Sequence, residues 1–160
     1  MNEIIDAKDA ELVPKDENKL SERWYIPHFG VYHPKKRKIR VVFDCAARYQ
    51  GTCLNDHLLQ GPDLMNNLVG ILHRFRKGKI AVMCDIQRMF HMFRVHESDR
   101  DYLRFLWFTD ETMSEVAEHR MTVHLFGGRS SPGCATYGLR TLASEHSHPD
   151  DEYDLQAVHF

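Results

Sequence analysis

The stretch IAVMCDIQRMF, residues 80–90, decides how this chain is read. Ile80 to Met83 are apolar or soft, Cys84 follows, and the run ends on a lone carboxylate, Asp85, with an aromatic, Phe90, five residues later. Lys79 to Cys84 therefore reads as a short central strand, apolar on both faces. A carboxylate closing such a strand is costly unless it is hydrated, paired or bound to a cation. The residues alone leave three accounts of Asp85: a solvated strand end, a helix cap, or a ligand for a cation.

Working outward, the preceding segment carries a helical pattern. Gly61-Pro62-Asp63 offers a start, Leu64, Leu68, Ile71, Leu72 and Phe75 recur at three- and four-residue steps, and Arg74, Arg76 and Lys77 suit the end before Gly78. One buried apolar stripe is expected. Further upstream, Trp24 to Tyr32 and Ile39 to Phe43 are rich in aromatic and branched residues and bracket the basic turn HPKKRK, which predicts a β-hairpin with cations at its tip.

Downstream, Ser98 with Asp101 resembles a capping box opening a short helical turn. Phe105 to Thr109 and Arg120 to Leu125 read as two strands joined by the polar loop DETMSEVAEH. The stretch FGGRSSPGCATYGLRTLA then gives a glycine-rich turn, Ser131 as an N-cap, Pro132 at the first helical position, and Ala135, Leu139 and Leu142 on one helix face.

The chain has 160 residues with a formal net charge of −2, enough aromatic and aliphatic content for a core, and no apolar run long enough to span a membrane. An intracellular, soluble setting is expected. Cys45, Cys53, Cys84 and Cys134 are too few and scattered for a disulfide framework and are expected to be reduced. Charge is unevenly placed. Between Arg23 and Arg48 stand seven cations (Arg23, Lys35, Lys36, Arg37, Lys38, Arg40, Arg48) against one acid, Asp44, which suits a polyanion. Residues 1–22 read as an acidic, flexible lead-in, and the acidic C-terminal stretch as a solvated loop or tail.

Five blocks, in order and in spacing, resemble the reverse transcriptase of BEL/Pao-type long-terminal-repeat retroelements: WYIPHFGVYHP, KIRVVFDCAARYQGTCLNDHLLQGPDL, RFRKGKIAVMCDIQRMFHMFRV, DRDYLRFLWF and MTVHLFGGRSSPGCATYGL. The resemblance covers about Trp24 to Ala143. It implies an α+β fold with fingers (about residues 23–58 and 93–127) and an incomplete palm (about 59–92 and 128–160), an antiparallel sheet packed on helices.

By that resemblance Asp85 is the first metal-binding aspartate, with the carbonyl of Ile86 beside it, holding Mg²⁺ or Mn²⁺ in a two-metal site. Phe90 matches the gate that crowds the ribose 2′ position. The backbone of Arg88 and Met89 would meet the triphosphate. Arg40 matches the fingers arginine that contacts nucleotide phosphates, with Lys36 or Lys38 adding charge. Phe126 and Gly127 belong to the second nucleotide block, where many relatives place Gln before the glycine. Ser131, Pro132 and Asp44 would lie against template and primer. The implied partners are a primed RNA or DNA template and deoxynucleoside triphosphates.

One element of the family pattern is absent from the sequence: no Tyr-x-Asp-Asp block, whose aspartates complete the metal site, occurs in the 160 residues. The acidic HPDDEYD resembles the loop that precedes that block, so the chain is expected to stop just short of it, without thumb or RNase H regions. The palm sheet would then lack a strand pair beside Asp85, leaving an uncovered apolar face. Two alternatives stand beside the polymerase: a non-catalytic nucleic-acid-binding remnant using the basic hairpin and aromatics such as Trp24 and Tyr25, and a zinc site on Cys45, Cys53 and His57, whose C-x7-C-x3-H spacing fits no common finger.

Overall fold

The computed structural model describes residues 1–14, 22–109 and 112–145. In chain order the elements are helix α1 (Asn2–Asp6), strand β1 (Ala10–Leu12), strands β2 (His28–His33) and β3 (Lys38–Phe43), helices α2 (Leu54–His57) and α3 (Leu68–Phe75), strands β4 (Arg104–Phe108) and β5 (Val116–Met121), and helix α4 (Ser131–Glu145). Turns of 3-10 helix cover Met89–Met92 and Glu97–Leu103. The result is a mixed α+β chain with two antiparallel sheets, one of order β1-β5-β4 and the other the β2-β3 hairpin.

The hairpin forms around the predicted basic turn, with its first strand starting at His28 rather than Trp24. Tyr32 faces Ile39, His33 faces Lys38, and Pro34 to Arg37 make the turn. Alternation divides its side chains. His28 and Phe43 turn inward to Phe105, with centroid separations of 5.7 Å (His28–Phe105) and 5.1 Å (Phe43–Phe105), while Phe29, Val31 and Arg40 are exposed. Around these rings the core gathers Ala10, Ile26, Cys45, Leu54, Met121, Val123 and Leu125.

A buried arginine ties the sheet to the chain before the hairpin. Arg104, 1% exposed, is held by Asp101 at 2.9 Å and Glu118 at 2.7 Å, and its backbone exchanges hydrogen bonds with Trp24 and Ile26. Arg120 extends the network to Glu11 at 2.7 Å and Asp101 at 3.0 Å. Every charge in this layer meets an opposite one, which a buried guanidinium requires.

Five expectations are corrected. Residues 1–14 are no loose lead-in: Glu11 and Leu12 pair with Arg120 and His119 of β5, so the acidic segment supplies the sheet's third strand. The second strand of the β4-β5 pair begins at Val116 rather than Arg120, because its polar residues are satisfied within the fold, Glu118 by Arg104 and His119 by stacking on Phe105 at 5.5 Å. α3 starts at Leu68, where Asn67 Oδ1 accepts from the N–H groups of Val69 and Gly70, while Asp63 closes only a local turn with Met65. Its apolar stripe is exposed at Leu68, Leu72 and Phe75 rather than buried.

The fifth correction concerns the opening stretch. Lys79 to Cys84 makes no strand, and Ile80, Val82 and Met83 are 85%, 81% and 83% exposed. Strands are held by ladder hydrogen bonds, and among the described residues no segment pairs with this one. The uncovered apolar face thus comprises α3 and the irregular run that follows it. The short helical turn near Ser98 does form, capped by His96, which accepts from Ser98 N–H. α4 occupies the expected place, with Ala135 buried, Leu139 half-buried and Leu142 exposed. The stretch HPDDEYD lies outside the described residues.

Candidate functional site

Asp85 ends this irregular run and is exposed, as is Ile86. Its carboxylate makes no hydrogen bond or ion pair with a described residue, so the desolvation cost expected of a buried strand end does not arise here. The chain then turns sharply. Arg88 takes a left-handed conformation (φ 56, ψ 36), unfavourable for a residue with a Cβ, and starts the 3-10 turn carrying Met89 and Phe90. Asp9 offsets that strain: its buried carboxylate accepts from the Arg88 guanidinium and lies 2.9 Å from His91 Nδ1.

Phe90 is delivered onto Phe126. The rings meet edge to face with centroids 4.6 Å apart and planes at 67°, and His91 flanks Phe126 at 6.3 Å. Phe126 remains 61% exposed, so the pair forms a surface ledge rather than a core contact.

The glycine turn behind Phe126 is fixed from below. Gly127 has φ +90, and a Cβ there would lie 3.4 Å from the Phe43 carbonyl. Asn55 clamps the turn on both sides, donating to the Gly127 carbonyl at 2.9 Å and accepting from Arg129 N–H at 2.8 Å. Ser131 is buried and sits 3.4 Å from His124 Nδ1, whose imidazole burial holds below its ordinary pKa and hence neutral. Pro132 is exposed at the start of α4. Gly133 lets the helix approach Gln60, whose carbonyl would be 2.8 Å from an added Cβ.

The cations divide into two groups. Arg40 and Lys36 are exposed on the hairpin, and neither side chain pairs with a described residue. Lys38 is bound by Glu3, 2.6 Å from Nζ to Oε1, and Arg88 by Asp9. Asp44 is half-buried, with Oδ1 accepting from Ala46 N–H at 3.0 Å, a local turn at the end of β3.

Of the expected site residues, Phe90, Phe126 and Gly127 come together. No hydrogen bond or ion pair joins Asp85 to Arg40, Lys36 or Lys38. Sequence reasoning missed Asn55, Asp9 and His91, which position the two turns. Asn55 lies in an ordinary polar turn, and Asp9 in an acidic run where one carboxylate looks like another.

A divalent ion needs several hard oxygen ligands, and the described residues hold no group of three His, Cys, Asp or Glu side chains able to bind one. Asp85 with the Ile86 carbonyl does not make a Mg²⁺ or Mn²⁺ site alone. The zinc arrangement fares no better: Cys45 and Cys53 are buried, and His57 Nε2 is engaged with Thr52 Oγ1 at 2.8 Å. Burial pushes the Cys45 thiol up to about 11, with Asp44 and Cys53 adding to the shift, so it is an inert core residue.

No protein-family model matches the chain, and no curated protein matches it. The class that the fold defines is mixed α+β with antiparallel sheets and helices. Among the described residues no helix is long and apolar enough to cross a membrane.

Proposed function

We propose that this chain is the fingers and part of the palm of an RNA-directed DNA polymerase of a BEL/Pao-type retroelement, carrying part of a nucleotide site but not a whole metal clamp. The observation that carries the reading is the Phe90–Phe126 contact at 4.6 Å. Two motifs 36 residues apart, each assigned to the nucleotide site on resemblance alone, meet ring to ring. The exposed Arg40 on a basic hairpin supports it, since a planar guanidinium suits a phosphate.

Asp85 is the site's first carboxylate in this account. Catalysis by two-metal polymerases depends on electrostatic stabilisation of the transferring phosphoryl group, and the described residues supply too few ligands for that. The described residues by themselves therefore suit binding of primed template and nucleotide rather than nucleotidyl transfer.

Fluorescence anisotropy with a labelled primed template tests this. Saturable binding that weakens steeply between 50 and 200 mM salt, by ~10³-fold or more if six phosphates are contacted, is expected, with a shallower salt slope for Arg40→Gln. Absence of binding at low salt would overturn the reading.

A further inference from the structure

We propose that the N-terminal segment is an internal anion that masks part of the nucleotide site: Glu3 and Asp9 occupy Lys38 and Arg88, and an oligophosphate must displace Glu3 to bind. The inference rests on the nucleotide-site reading, in which Lys38 adds charge and the Arg88 backbone meets the triphosphate, and it adds the Arg88 guanidinium as a second cation. Glu3 lies on α1 and Asp9 follows it, the two linked in one compact unit by the Asp9 N–H bond to the Ile4 carbonyl at 3.0 Å. Each meets a different cation, Lys38 Nζ being 2.6 Å from Glu3 and the Arg88 guanidinium bound by Asp9. A hairpin lysine and a turn arginine, 50 residues apart, are thus gathered on one short acidic unit.

The two contacts differ in kind. Asp9 is buried and also within 2.9 Å of His91 Nδ1, so it is a fixed anchor. Glu3 and Lys38 are both well exposed, which makes their pair weak and exchangeable. Lys38 hydrogen bonding lowers the Glu3 pKa, and the charges of the N-terminus and Arg88 add smaller effects in the same direction. A triphosphate offers more charge and more acceptor oxygens than one carboxylate, so it competes for Lys38 while Arg88 stays tethered.

Calorimetric titration of the chain with inorganic tripolyphosphate at low salt tests the mask. Glu3→Gln is expected to bind about two- to fivefold more tightly than the wild type, the scale of one exposed ion pair, and adding Lys38→Gln is expected to abolish that gain. Asp6→Asn removes the same charge from the same helix without touching either cation, and is expected to leave affinity unchanged. Asp9→Asn, with folding verified by thermal melting, is expected to tighten binding by freeing Arg88. Equal affinity for Glu3→Gln and wild type, alongside weakening by Lys38→Gln in the wild type, would overturn the mask while leaving the anion site intact. Equal tightening by Asp6→Asn would reduce it to a general charge effect. No binding by any variant would overturn the nucleotide-site reading along with it.

Discussion

Phe90 and Phe126 meet edge to face at 4.6 Å, joining a strained turn that starts at Arg88 to a glycine turn clamped by Asn55. Each ring sits on a turn held by polar contacts from a distant part of the chain, Asp9 for one and α2 for the other. The pair therefore reports on both supports.

Aromatic pairs couple by about 0.5–1.5 kcal/mol beyond their buried area, and the exposure of Phe126 places this one near the lower bound. A double-mutant cycle with Phe90→Leu and Phe126→Leu in urea unfolding is expected to return that coupling. Additive effects would mean that the rings do not touch in solution.

Arg104 is the most deeply buried charged residue among the described residues. Replacing it with Met leaves Glu118 without its partner and Asp101 with Arg120 alone, and a loss of roughly 3 kcal/mol is expected by chemical denaturation.

Acid should unfold the chain in two stages. Burial lowers the pKa of His28, His119 and His124, so the unfolded chain binds their protons first and stability falls as pH drops below the unfolded value of about 6.5. Burial alone would raise Asp101, but hydrogen bonds from Arg120 and Arg104 outweigh it and hold the carboxyl below its ordinary value. Its contribution is present above about pH 4 and is lost as pH falls through the lowered folded value. Urea midpoints from pH 8 to 3 measure both stages, and Asp101→Asn is expected to flatten the second alone.

Gly138 faces the Phe93 ring so closely that an added Cβ would sit 2.3 Å from it. Gly138→Ala gains helix propensity of about 1 kcal/mol but overpacks that contact by about 1–3 kcal/mol, a net destabilisation. With Phe93→Leu the sign is expected to reverse, as thermal melting would show.

Cys84 distinguishes the exposed run from a buried strand. Cys84 and Cys134 are exposed while Cys45 and Cys53 are buried. A thiol reagent at neutral pH is expected to modify two cysteines quickly in the native chain and four in denaturant. Slow reaction of Cys84 would place residues 80–86 in a covered strand.

The hairpin and α4 were legible in sequence because their signals are local: alternation around HPKKRK, and a Ser-Pro start followed by helical spacing. β1 was not legible, since Glu11 belongs in a sheet only by virtue of Arg120 and Arg100, far along the chain. The run 80–84 failed in the opposite direction. Its residues suit a central strand, but a strand exists only with a partner, and composition cannot supply one. Within the site, the aromatic and glycine positions could be named from motifs, whereas Asn55 and Asp9, which hold those positions, act through contacts that no local pattern encodes.

The most direct test of the account is primer extension by a polypeptide that continues past Phe160 through a Tyr-x-Asp-Asp hairpin, assayed with and without Mg²⁺. The account predicts metal-dependent extension of a primed template that Asp85→Asn abolishes. Extension that survives Asp85→Asn would contradict it.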